Sequence, residues 1–152
     1  MKAIEKIIDH FGGMEALLES RIIRVNIDPF RSLLVRIAQA SPNGLPAISI
    51  TQECRENGPP RAEIQMMFEI CDLGWFPYYY KNVFDVFEGV VYKQDSDGRI
   101  LCVRHNLKRK LKEIAVEWDD RLEELEYITL SGHSPVANFF PPPFFMTQRP
   151  AP

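Results

Sequence analysis

Apolar residues recur along this chain with two periods, and the switch between them marks its elements. Ile4, Ile7, Ile8 and Phe11 fall at i, i+3, i+4 and i+7, one face of a helix, and Gly12-Gly13 ends it. Residues 14–20 read as a second short helix with Leu17 and Leu18 turned inward. From residue 21 the period becomes two. Ile23 and Val25 alternate with Arg24 and Asn26, and Asp28-Pro29 closes that strand. Leu33, Val35 and Ile37 alternate again over 31–38, although Leu34 breaks the pattern and leaves a short helix as the alternative. Ser41-Pro42-Asn43-Gly44 is a turn.

Residues 47–54 and 62–70 alternate on either side of Asn57-Gly58, a hairpin signal. Pro59-Pro60 lengthens that connection beyond a two-residue turn. After Asp72-Leu73-Gly74 comes an aromatic strand, 75–81, in which Pro77 predicts an edge or a bulge. Residues 83–92 fit both periods: Val83, Val86, Phe87 and Val90 suit a helix, whereas Val90-Val91-Tyr92 prefers a strand. Residues 94–98 form a turn by composition, and 100–103 return as one more short strand.

The strongest helix signal comes last. Leu107, Leu111, Ile114, Ala115, Trp118, Leu122 and Leu125 make one stripe, with Asn106 as its N-cap. A buried Trp118 replaced by Ala would cost about 3–5 kcal/mol. From residue 131 prolines crowd around Phe139-Phe140-Pro141-Pro142-Pro143-Phe144-Phe145, which predicts an extended polyproline tail with exposed aromatics. The expected fold is α+β: an antiparallel sheet of about five strands, packed against one long C-terminal helix and an N-terminal helical pair. A single domain spans 1–130 and the tail 131–152.

Composition narrows the partners. A net charge of -3 disfavours general nucleic-acid binding, although a local basic patch escapes that average. No apolar run approaches a membrane span, and charged residues from Lys2 to Glu19 exclude a signal-peptide core. Cys54, Cys71 and Cys102 are odd in number, widely spaced and set in or beside apolar runs, so buried reduced thiols in a cytoplasmic protein are expected.

Three surfaces carry candidate binding residues. The strand holding Trp75, Tyr78, Tyr79 and Tyr80 is aromatic on both faces, and one face is free unless helices cover both. Phe140 and Phe144 bracket the tail prolines and suit a groove on a partner, on this domain or on a second copy in a homodimer. Arg104, Lys108, Arg109, Lys110 and Lys112 crowd the start of the last helix, and Glu117, Asp119, Asp120, Glu123, Glu124 and Glu126 crowd its other half. Both runs oppose the helix dipole. The basic end is a candidate anion site for phosphate or nucleic acid; the ordinary alternative is a solvated face balanced by its neighbours.

Catalytic and metal-binding patterns are missing. His10, His105 and His133 are far apart, and GxSxG, P-loop and GxGxxG sequences do not occur. No catalytic residue, metal or cofactor is expected, and an enzyme is not the favoured reading.

Asn26-Ile27-Asp28-Pro29-Phe30, Leu33-Leu34-Val35, Glu56-Asn57-Gly58, Gln65-Met66-Met67-Phe68-Glu69, Trp75 through Asn82 and the basic-to-Trp118 helix carry a resemblance. Over residues 21–128 the chain resembles a family of small uncharacterised bacterial proteins often carried on plasmids and other mobile elements. Pro59-Pro60 departs from that pattern, where an acidic stretch is usual. The resemblance transfers no functional residue. It implies a bacterial cytosolic accessory protein that binds host machinery. The expected function is a non-enzymatic interaction module with a protein partner or self-association. The alternative is nucleic-acid or phosphate binding through the basic start of the last helix.

Overall fold

The structure is a computed structural model, and it describes residues 1–27 and 29–124. Asp28 and the tail with Phe140 and Phe144 lie outside the described residues. The chain begins with α1 (Lys2–His10) and α2 (Gly13–Ser20). A six-stranded antiparallel meander follows: β1 (Ile22–Asn26), β2 (Arg31–Ile37), β3 (Ala47–Cys54), β4 (Arg61–Cys71), β5 (Gly74–Asn82) and β6 (Phe87–Val90). A separate ribbon of β7 (Tyr92–Gln94) and β8 (Ile100–Val103) leads into α3 (His105–Glu124). The architecture is α+β, with the expected helical pair and long helix, and its main sheet has one strand more than expected.

Strand alternation divides the sheet into two unlike faces. Register aligns Ile23, Val35, Ile50, Met66, Tyr80 and Gly89 in one row across all six strands. This row belongs to the core that Ile4, Ile7, Ile8, Leu17, Leu111, Ala115, Trp118 and Leu122 complete from the helices. Gly89 is buried under Leu107, whose methyls lie 3.2 Å from where a Cβ would stand, so a side chain there would make Leu107 and Phe87 give way by a few tenths of an ångström. The opposite row is Arg24, Leu34, Thr51, Gln65 and Lys81. Leu34 breaks the sequence alternation because it is buried on this second face, outside the helix-covered core. Polar side chains tie that face together: Arg24 donates to Ser32 (2.8 Å) and Glu53 (3.1 Å), and Gln65 donates to Ser49 (3.1 Å).

Several local expectations change. Leu17 is buried but Leu18 is exposed, because α2 presents one narrow edge to the core. Asn106 lies inside α3, which starts at His105, so it is not the N-cap. Residues 87–90 form a strand, since pairing with β5 outweighs the local helical period. Pro77 sits at a bulge where the register of β4 and β5 shifts, and β5 is an interior strand. The three thiols are free, yet Cys54 and Cys71 are half-buried and Cys102 is exposed, because the β7–β8 ribbon has an open side.

Several charges of the two runs on α3 find partners on neighbouring elements. Asp119 is buried, and its carboxylate accepts the backbone N–H groups of Lys2 (2.7 Å) and Ala3 (3.0 Å). It thereby caps the start of α1 from another helix and meets the positive end of its dipole. The Met1 amino group lies 3.7 Å away. One turn on, Lys6 donates to Glu123 at 2.8 Å, and that pairing raises the lysine's pKa and lowers the carboxylate's. At the other end Lys108 and Lys112 lie over the Phe76 ring, and Lys110 lies 4.6 Å from the Phe87 centroid.

Replacing Asp119 by Ala leaves two N–H groups at the start of α1 without their acceptor and should cost about 1–2 kcal/mol in urea unfolding. Asp119→Asn retains an acceptor and should lose less. Equal losses in the two variants would contradict the capping role.

Candidate functional site

α3 rests on the sheet with a groove on each flank. The first lies between α3 and the β5–β6 hairpin and encloses about 410 Å³. Ile64, Tyr80, Phe87 and Trp118 give it an apolar floor, with Asn82 and Asp85 on one side and Lys110, Glu117 and Arg121 on the other. Asn82 builds the hairpin beside it. Its buried side chain donates to Asp85 (2.8 Å) and to the Tyr80 hydroxyl (3.1 Å), and accepts the Phe84 N–H (2.9 Å). This Asx arrangement fixes the turn from within.

The fixed turn holds apolar side chains outward. Val83, Phe84 and Val86 are 47%, 66% and 92% exposed. Val86 also has φ 49°, a left-handed conformation that costs a β-branched residue about 1–2 kcal/mol. Local stability alone favours neither the exposure nor the strain. Such residues mark binding surfaces when they are contiguous. The mixed periodicity of 83–92 concealed this tip; its one readable signal was Asn82 two residues before Phe84.

The second groove, also about 410 Å³, lies on the other flank, between α3, the start of α1 and the start of β5. Phe68, Trp75, Phe76, Pro77, Ala115 and Val116 supply its apolar wall. Lys2, Lys112, Asp119, Asp120 and Glu123 supply its charged lining.

The sequence candidates fall at different places. Tyr78 and Tyr80 are each 6% exposed and belong to the core. Trp75 is half-buried in the second groove and packs against Phe68. Tyr79 is half-buried on the second face of the sheet and donates to Glu88 (2.9 Å). Lys108 and Lys112 gather over Phe76, while Lys110 turns to Phe87 on the opposite flank. Arg104 precedes the helix and gives its backbone N–H to Val91, and Arg109 is exposed. The five cations therefore do not converge on one point. Among the described residues no group of three or more His, Cys, Asp or Glu side chains is arranged to hold a metal.

One polar cluster, buried at Glu69 and Tyr92 and closed by the exposed Asn43, was not anticipated. The Tyr92 hydroxyl donates to Glu69 at 2.5 Å, and the Asn43 amide reaches both Tyr92 (2.7 Å) and Glu69 (3.2 Å). Tyr78 packs on the Tyr92 ring. The cluster pins the β2–β3 loop to β4 and β7; neither groove contains it. Burial, then the hydrogen bond to Glu69, raises the Tyr92 pKa. Burial and the bond to Glu88 push Tyr79 up to about 12.

Two outcomes follow. Val86→Gly removes the strain at φ 49° and should raise stability by about 1 kcal/mol; a loss of that size would show that the strain is absent. An unfolded tyrosine releases its proton near 10.0 and folded Tyr79 near 12, so above pH 10 the folded state holds more protons. Stability should be full below pH 10 and fall as the pH rises toward 12. Tyr79→Phe should flatten part of that fall in urea midpoints measured across the range.

Comparison with curated proteins gives no match, and comparison with solved structures gives none. The family described as Domain of unknown function (DUF6908) matches residues 2–128, the two helices, the sheet, the ribbon and α3 together, and the chain belongs to that family.

Proposed function

We propose that the protein is a non-enzymatic interaction module that takes a protein partner on the β5–β6 tip and in the groove beside it. The observation that carries this reading is the pairing of exposure with rigidity. Val83, Phe84 and Val86 project from a turn that the Asn82 side chain fixes, and one of them is held in a strained conformation. An ordered apolar tip loses little conformational entropy on binding, so more of the contact energy appears as affinity. The groove adds direction. Glu117 and Arg121 line it without a partner among the described residues, next to an aromatic floor, so a partner carrying an apolar side chain flanked by charges of both signs suits it.

The cell setting belongs to the same proposal. The sequence resemblance supports a bacterial cytoplasmic accessory protein of mobile elements that binds a host protein. Stacking of Lys108, Lys110 and Lys112 on aromatic rings disfavours the alternative of a basic anion site at the start of α3.

Affinity capture from bacterial lysate tests the reading, with wild-type chain, Phe84→Ser, Val86→Gly and the double charge reversal Lys108→Glu/Arg109→Glu, each with and without nuclease. A stoichiometric protein should survive nuclease and the charge reversal, and should fall at least about tenfold with Phe84→Ser, as a central apolar anchor does. Capture of only nuclease-sensitive material, lost on charge reversal, would replace this reading with nucleic-acid binding. Val86→Gly should weaken capture although it stabilises the fold.

A further inference from the structure

The second groove is left over by that reading, and its rim differs from the first. Lys112 lies over Phe76, Asp119 caps α1, and Glu123 is paired with Lys6. Three of its charges are therefore engaged inside the domain, and Lys2 and Asp120, which also line it, are opposite in sign and leave no net charge to attract an ionic occupant. Its wall of Phe68, Trp75, Phe76, Pro77, Ala115 and Val116 asks for an apolar one, and Val116 is 60% exposed on it.

This chain carries a segment of that chemistry. Residues 134–148 contain no charged side chain, and Phe139-Phe140-Pro141-Pro142-Pro143-Phe144-Phe145 lies at their centre. Proline flanked by aromatics is the composition that aromatic-lined grooves take up. The tether also has the right origin and length. The described part of α3 reaches Glu124, beside Glu123 in the groove's lining. Phe139 follows Glu124 by fifteen positions, which reach up to about 50 Å when extended, while the stretch of α3 from Lys112 to Glu123 is only about 17 Å long. A tether of that reach puts the segment at about millimolar effective concentration over the groove.

We propose that residues 139–145 seat, within the same molecule, in the groove between α1, α3 and the start of β5, so that the chain supplies its own ligand on the flank opposite the partner site. The proposal does not depend on the partner site, because the two grooves share no lining residue.

The test compares the full chain with a full-length variant carrying Phe139→Ser, Phe140→Ser, Phe144→Ser and Phe145→Ser, and uses a synthetic peptide of residues 136–148 as the probe. In NMR spectra the variant should shift the Trp75 indole N–H and the Val116 methyls while leaving Val86 unmoved. The peptide should bind the variant and return those signals, bind the wild-type chain at least about tenfold more weakly because its groove is filled, and lose the variant when Val116→Asp is added. Both chains should elute as monomers. Unchanged Trp75 and Val116 signals would overturn the proposal, as would peptide binding indifferent to Val116→Asp. A wild-type dimer that the four serines convert to a monomer would also overturn it, by placing the segment on a second copy. None of these readouts involves the lysate partner, so failure here and failure of the proposed function are separable.

Discussion

One buried carboxylate ties the two ends of the described domain together. Asp119 stands in the half of α3 where the helix's own dipole disfavours an anion. It stays there because it accepts two N–H groups from the start of α1, where the other helix's dipole favours it. The cost on one helix is offset on the other, and burial keeps solvent from screening the exchange. Without that exchange α1 would present bare N–H groups to a low-dielectric seam, and Ile4, Ile7 and Ile8 would lose the neighbour that closes the core over the sheet.

The same logic explains what looked anomalous in the sequence. A charge run on one helix is read against that helix alone, because periodicity says nothing about which termini and rings lie across from it. Lys110 over Phe87, Lys112 over Phe76 and Glu123 against Lys6 are contacts between elements distant in the chain. By contrast α1, β3, β4 and α3 were legible, because each carries its own complete period over enough residues to outvote local exceptions. Leu34 misled because it obeys the second face of the sheet, where it is buried in register with Arg24 and Thr51 and outside the helix-covered core.

The candidate site was the least legible part for a related reason. The β5–β6 tip violates local consistency: apolar residues lie in water and a β-branched residue takes a left-handed turn. A pattern-based reading resolves such a stretch toward the nearest regular element, and residues 83–92 were accordingly divided between helix and strand. The aromatic strand shows the reverse error. Its tyrosines drew attention as binding residues, yet Tyr78 and Tyr80 are buried in the core, Tyr78 against Tyr92 and Tyr80 beneath the groove beside α3.

The meander pairs each strand with the next one made, so the sheet can form as the chain lengthens. The cap on α1 is different: Asp119 follows Ala3 by 116 residues. During synthesis α1 therefore waits for α3 before its N-terminus is satisfied. Until then the helix-facing side of the sheet lies open, and that interval is when a chaperone or a like chain would find it.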